Sequence, residues 1–446
     1  FSENNLKNTH GFDYGSCAGG NYDMSTAYLT RWSGPITEAV DPYNAGSNYS
    51  PPGLSPVKHV QDVLYIPGRN SSLDNDNIKN AIMTYGGVAT AFFWSDSYYS
   101  TTNKNYYYSA SSSQDNHGIT LIGWNDNYDR NNFKYKPTGN GAFLAKNSWG
   151  SSWGDGGYFW ISYYDTRLAR YFSNAVFFTE PLTNYDYIYQ YDPLGWVSSV
   201  GYGTNTAWGA NKFTSARDEQ LEAVGFYTAS PNTAYEVYIH KNPTNGPLNT
   251  TGSAASKTGT INVPGYHTIP LSNPVPLKSG DTFSVVVKIT TPGYNYPIPY
   301  EYPYPGYSSK ATSLPGQSYI SSSGGSGTWL DITNWQANSN VCIKGYTNKL
   351  MPPPVANFTA TPATAIAPAR IQFNDTSTNS PTSWQWEFGD GNTSSERNPV
   401  HVYEGVGTYS VNLTVWNSYE SDSVTKTDYI TVVEAPAFLE SWMYRK

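Results

Sequence analysis

Near Val88 the apolar residues of this chain change period, from helical spacing to strand alternation, and this limits the fold more than any other feature. Before that point, Asp23 to Trp32 sets Met24, Ala27, Tyr28 and Trp32 on one helical face. Asp74 to Tyr85 likewise follows an acidic start with Ile78, Ala81 and Ile82, so two short helices are predicted. After it, the runs VATAFFW, GITLIGW, GAFLAKNSW and GYFWISYY are apolar or alternating and rich in aromatics. A helical start followed by strands predicts an α+β domain over residues 1–180.

Between residues 185 and 347 the strand signals stand alone, as LEAVGFYT, YEVYIHK, YHTIPL, TFSVVVKI and NVCIKGY, divided by Gly, Pro, Asn and Ser clusters. They predict an antiparallel sandwich or jelly roll. Within it, prolines in YNYPIPYEYPYPGY (Tyr294 to Tyr307) argue against a central strand and for a rigid extended loop displaying its rings outward. A proline-rich linker spans 348–354, and the strands of 355–434 predict a second, smaller sandwich, with a tail over 435–446.

A length of 446 residues is too great for one core. Charged residues are 13% of the chain, and the net charge of −8 includes no basic run, so nucleic acid is excluded as a partner. Two cysteines, Cys17 and Cys342, are too few for a disulfide scaffold or a structural zinc site; no metal and no cofactor are implied. Asn48, Asn70, Asn249, Asn357, Asn374, Asn392 and Asn412 each open an N-x-S/T triplet, making them glycosylation candidates and pointing to an extracellular, cell-surface setting. No basic-then-apolar leader precedes Phe1, so the chain reads as a processed fragment.

Three passages in the first 180 residues resemble the papain-like cysteine peptidase family: DNHGITLIGWND, KNSWGSSWGDGGYFWIS, and SENNLKN followed by CAGGNYDMSTAYL. The resemblance implies a base at His117, an orienting amide at Asn147, a shielding indole at Trp149, and a substrate cleft edged by Gly19 and Gly20. The chemistry needs that set. An imidazole beside a thiol depresses its pKa and protonates the leaving amine, while an amide holds the ring's other nitrogen. WEFGDG and NPVHVYEGVGTYSVNLTVWN resemble a PKD domain, and the region between resembles the lectin-like domain of surface peptidases of this family. The expected fold is therefore multidomain: the C-terminal part of an α+β papain-like domain, a lectin-like β-sandwich, and an immunoglobulin-like PKD sandwich.

One departure matters. In the family the nucleophilic cysteine lies upstream of the segment resembled by SENNLKN, and here SENN begins at Ser2. The resemblance implies a disulfide role for Cys17, while Cys342, on a strand of the middle region, reads as a buried small apolar residue. These features predict a cell-envelope or sheath subunit derived from a peptidase and forming oligomers or polymers. Two alternatives stand beside it: a cysteine endopeptidase active with its cleaved amino-terminal fragment, and a carbohydrate-binding adhesin; peptides and glycans are the candidate ligands.

Overall fold

The computed structural model describes residues 1–16, 18–110, 113–170, 174–350, 352–417 and 420–436. The chain forms two compact units, Phe1–Lys349 and Leu350–Lys446. Among the described residues of the first, three α-helices form: α1 (Glu3–Thr9), α2 (Tyr22–Thr30) and α3 (Asp76–Tyr85). Each start or stop has a local cause. Ser2 Oγ accepts the Asn5 N–H at 2.9 Å, Asn21 Oδ1 accepts that of Met24 at 2.8 Å, and Gly86 ends α3 at a φ of 87°. Trp32, predicted on the α2 face, lies beyond the helix with φ 64°, and its ring stacks on His59 at 3.7 Å. The helix ends before reaching it.

One sheet of twelve described strands runs through the first unit. Tyr158–Ser162, Ala142–Lys146, His117–Asn125, Val88–Phe92, Asn174–Glu180 and His59–Ile66 follow one another, and the sheet then continues into Gly265–Leu277, Glu219–Thr228 and Ile343–Lys349. The seam is short: Val63 pairs with Tyr266 and Leu64 with Gly265. Gly265 has φ 143°, and a Cβ there would lie 1.9 Å from the Val63 carbonyl oxygen, so only glycine permits the approach. Arg31, just past α2, reinforces the junction by donating to the carbonyls of Thr9, His10 and Pro193 at 2.6 to 3.0 Å.

The middle region closes as a sandwich. A second sheet orders Ala255–Ile261, Thr233–Lys241, Thr282–Thr290, Thr206–Thr214 and Ser318–Ser321, and between the layers Phe213, Leu221, Phe226, Val237, Val285 and Val287 are buried. Each such side chain contributes about 1.5–3 kcal/mol relative to exposure. The proline-rich segment corrects the prediction. Ile298–Glu301 is the middle strand of a three-stranded sheet, buried throughout, and the Pro299 carbonyl accepts the Cys342 N–H at 3.0 Å. A strand four residues long has few ladder donors to lose, so one proline fits. Tyr296 and Tyr304 do face solvent, whereas Tyr300 is buried.

The second unit packs the sheet Phe358–Thr361, Ala369–Asp375 and Val400–Tyr403 against one containing Ser383–Glu387, Gly407–Trp416 and Ser421–Val433. Trp386 is fully buried at its centre, with Nε1 donating to the Glu396 carbonyl at 2.8 Å. Of the sequon asparagines, Asn48, Asn70, Asn357 and Asn392 are exposed, while Asn249, Asn374 and Asn412 are half-buried. No helix among the described residues is long and apolar enough to cross a membrane.

Candidate active site

His117 opens the strand His117–Asn125 and pairs with Phe92 of the neighbouring strand. Asn147 follows immediately on Ala142–Lys146, one strand away, and its backbone N–H bonds the Gly157 carbonyl at 2.9 Å. Two strand ends in adjacent register thus bring together residues 30 apart in sequence. His117 Nε2 lies 2.8 Å from Asn147 Oδ1, and the Ser148 N–H donates to that same oxygen at 2.8 Å. Because the oxygen can only accept, Nε2 carries the proton and Nδ1 keeps its lone pair. Among the described residues Nδ1 has no partner.

Aromatic rings enclose the pair. Trp149 stacks on the imidazole with centroids 4.7 Å apart, and Phe92 lies 5.7 Å away on the buried side. Trp149 is in turn gripped edge-on by Trp94 at 4.9 Å and Trp153 at 5.0 Å, although 41% of it faces solvent. Burial lowers the His117 pKa, and the hydrogen bond to Asn147 opposes that shift. The ring is therefore neutral at neutral pH, as a proton acceptor must be. Asn147 Nδ2 is buried without a hydrogen-bond partner, so the amide is committed to the histidine through its oxygen.

Further residues frame the site. Asn116 clamps Trp94 at both ends, accepting its N–H at 2.6 Å and donating to its carbonyl at 3.0 Å. Asp115, two residues before His117, pairs with the Arg167 Nε at 2.8 Å, both side chains being buried. Removing either partner would strand a buried charge and cost about 3–5 kcal/mol. Tyr22 at the start of α2 reaches the same strand: a Cβ on Gly118 would lie 4.0 Å from its hydroxyl. The Gly19–Gly20 turn, two residues earlier, is exposed, and Gly19 at φ 79° has open space where a side chain would be.

Sequence reasoning singled out His117, Asn147 and Trp149, but not Trp94, Trp153, Asn116 or the Arg167–Asp115 pair; Asp115, Asn116 and Trp153 lie within the quoted motifs without a pattern that assigns them a role. Cys17 lies outside the described residues. Cys342 is buried among Val63, Tyr65 and Tyr227, and burial pushes its thiol well up, so it is unreactive. Among the described residues no three histidine, cysteine or carboxylate side chains converge as a metal ion would require.

Residues 1–176 match the papain family cysteine protease model, 188–347 the lectin like domain and 351–432 the PKD domain. Among solved structures, the clostridial cysteine protease Cwp84 after propeptide cleavage superposes with a TM-score of 0.68 at 28% identity, over 78% of this chain and 88% of that one. The cysteine protease and lectin-like domains of Cwp84, a surface layer associated protein of Clostridium difficile, give 0.66 at 28% identity over 78% and 79%. Among curated proteins, cathepsin B-like cysteine proteinase 5 of Caenorhabditis elegans is 30% identical over 128 residues, 28% of this chain and 33% of that protein. Collagenase ColA of Bacillus cereus is 42% identical over 89 residues, 19% of this chain and 9% of that protein. The chain thus spans less than half the length of either curated relative.

Proposed function

We propose that this chain, built of a papain-family cysteine peptidase domain, a lectin-like domain and a PKD domain in that order, is the base-bearing part of a cell-surface cysteine endopeptidase. The observation that carries the reading is His117. Its Nε2 is held by Asn147 Oδ1 at 2.8 Å, its Nδ1 is unpartnered among the described residues, and its ring is shielded by Trp149. A purely architectural module gains nothing from a neutral imidazole oriented in this way.

In this mechanism the nucleophilic thiol comes from a separate segment of the precursor and gives its proton to His117 Nδ1. The thiolate attacks the scissile carbonyl carbon, and the imidazolium then returns the proton to the leaving amine. Asn147 keeps the ring aligned through both transfers, and Trp149 keeps water from its hydrogen bond. Gly19 and Gly20 leave the backbone bare for an extended peptide. The surface location draws on the surface layer association of the Clostridium difficile relative.

The test is mass spectrometry of the native precursor after reaction with a peptidyl epoxide. A single adduct is expected on a cysteine other than Cys17 and Cys342, and His117→Ala should remove it along with cleavage of a fluorogenic peptide. Recovery of the chain in ordered polymers, with no adduct and no cleavage, would favour the envelope-subunit reading.

A further inference from the structure

A second recess opens where the two halves of the first unit share their sheet. It has a volume of about 350 Å³ and is walled by Tyr65 and Pro67 at the end of His59–Ile66, by Pro264 just before the seam, and by Trp196 and Val197 of the lectin-like part. Its one charged lining residue is Asp23, in the first turn of α2. The lining combines apolar and aromatic side chains with exposed polar atoms and a single charge, a make-up that can orient one ionic group.

The parts are held in place. The Tyr65 hydroxyl donates to Asp23 Oδ1 at 3.0 Å, and the Trp196 ring stacks over Tyr65 at 6.3 Å with its own Nε1 tied to Ser199 Oγ at 3.0 Å. Asp23 has no ion-pair partner among the described residues, and burial raises its pKa. A bound cation would relieve that penalty, and the indole face would add a cation–π attraction. The helix that carries Asp23 also reaches the strand His117 opens: the hydroxyl of Tyr22, next to Asp23, lies 4.0 Å from where a Cβ on Gly118, the residue after His117, would be.

We propose that this recess accepts the guanidinium or ammonium side chain of a peptide lying along the His117 cleft, with Asp23 as counter-ion and Trp196 as the stacking wall. The substrate role rests on the peptidase reading above; the cation site does not. On this assignment the lectin-like domain supplies half of a substrate pocket and shares in setting peptide preference.

Two measurements separate the claims. Saturation-transfer NMR on the whole chain should show benzamidine bound and its neutral isostere benzamide not, with Asp23→Asn weakening benzamidine at least about tenfold, as loss of a charge-assisted hydrogen bond requires. Trp196→Leu should weaken it less, and unchanged thermal melting of both variants would exclude misfolding. Equal binding of the two compounds, or no effect of Asp23→Asn, overturns the cation site. In the intact precursor, peptides carrying Arg or Lys should be cleaved at least about tenfold faster than norleucine analogues, and Asp23→Asn should erase the difference. Cleavage without that preference overturns the substrate role while the peptidase reading stands. Asp23-dependent benzamidine binding without any cleavage upholds the cation site while the peptidase reading falls.

Discussion

The His117 site and the ionic cluster beneath the lectin-like sandwich are both polar groups buried among aromatics, yet they are built to opposite ends. In the cluster, Lys344 Nζ lies 2.8 Å from Asp192 Oδ2, both side chains almost wholly buried, and also donates to Gln190 Oε1 at 2.8 Å. Glu301 accepts the Leu194 N–H at 2.7 Å and Asn340 Nδ2 at 3.0 Å. Asp192 and Lys344 meet without hydrogen-bond alignment, so the pair is held by charge. Burial raises Asp192 and pushes Glu301 up to about 8. Those shifts resemble the perturbation at His117, but in the cluster the Asp192 charge is met by Lys344, although its carboxylate oxygens and Asn340 Oδ1 are left without a hydrogen-bond donor among the described residues. At His117 one nitrogen is answered and the other is left toward the cleft. A shifted pKa therefore marks burial, not chemistry by itself.

The comparison breaks first at the histidine. His117→Ala in the precursor should lower kcat/KM for a peptide by about 10³-fold while leaving the melting temperature nearly unchanged. A large loss of stability with unchanged turnover would mean that the two sites had been told apart wrongly. Lys344→Met should do the reverse, costing about 3–5 kcal/mol in urea unfolding because Asp192 is left buried and uncompensated, with kcat of the folded fraction preserved. Asn147→Ala should sit between them, with about a 10- to 100-fold loss in kcat from removing a hydrogen bond to a ring that becomes charged. Its pH–rate profile should move, which Lys344→Met should not cause.

Titration gives an effect whose sign is fixed in advance. Glu301 has its pKa raised from 4.5 to about 8, mainly by burial, so the folded protein holds a proton there that the unfolded chain has lost. Its stabilising contribution is complete below about pH 4.5 and is lost as pH rises through 8. The His117 pKa is lowered by burial from 6.5, so its contribution runs the other way, complete above 6.5 and lost as pH falls through the folded value. Thermal melting of Glu301→Gln across pH 5 to 8 should be flatter than that of the parent chain.

The site was legible where its residues sit on local motifs. His117 at a strand entry and Asn147 before Ser-Trp-Gly are fixed by short-range backbone geometry. The strands His59–Ile66 and Asn174–Glu180 were not foreseen, because they lie inside the sheet and lack the strict apolar–polar alternation of a half-buried strand. The Ile298–Glu301 strand was read against for a sound local reason, since proline weakens a ladder, and the surrounding contacts outweighed it.

By itself the sequence determined the period change at Val88, the order of the three β-rich regions, and the identity of the imidazole, amide and indole that form the site. Only the tertiary structure decided that the first two regions share one sheet. That union depends on Val63 meeting Tyr266 and on Gly265 admitting a carbonyl where any Cβ would collide. Such contacts join residues some two hundred apart, and pattern along the chain carries no record of them. The same is true of Asp23 and Trp196, which share a recess only because that seam folds one half of the unit against the other.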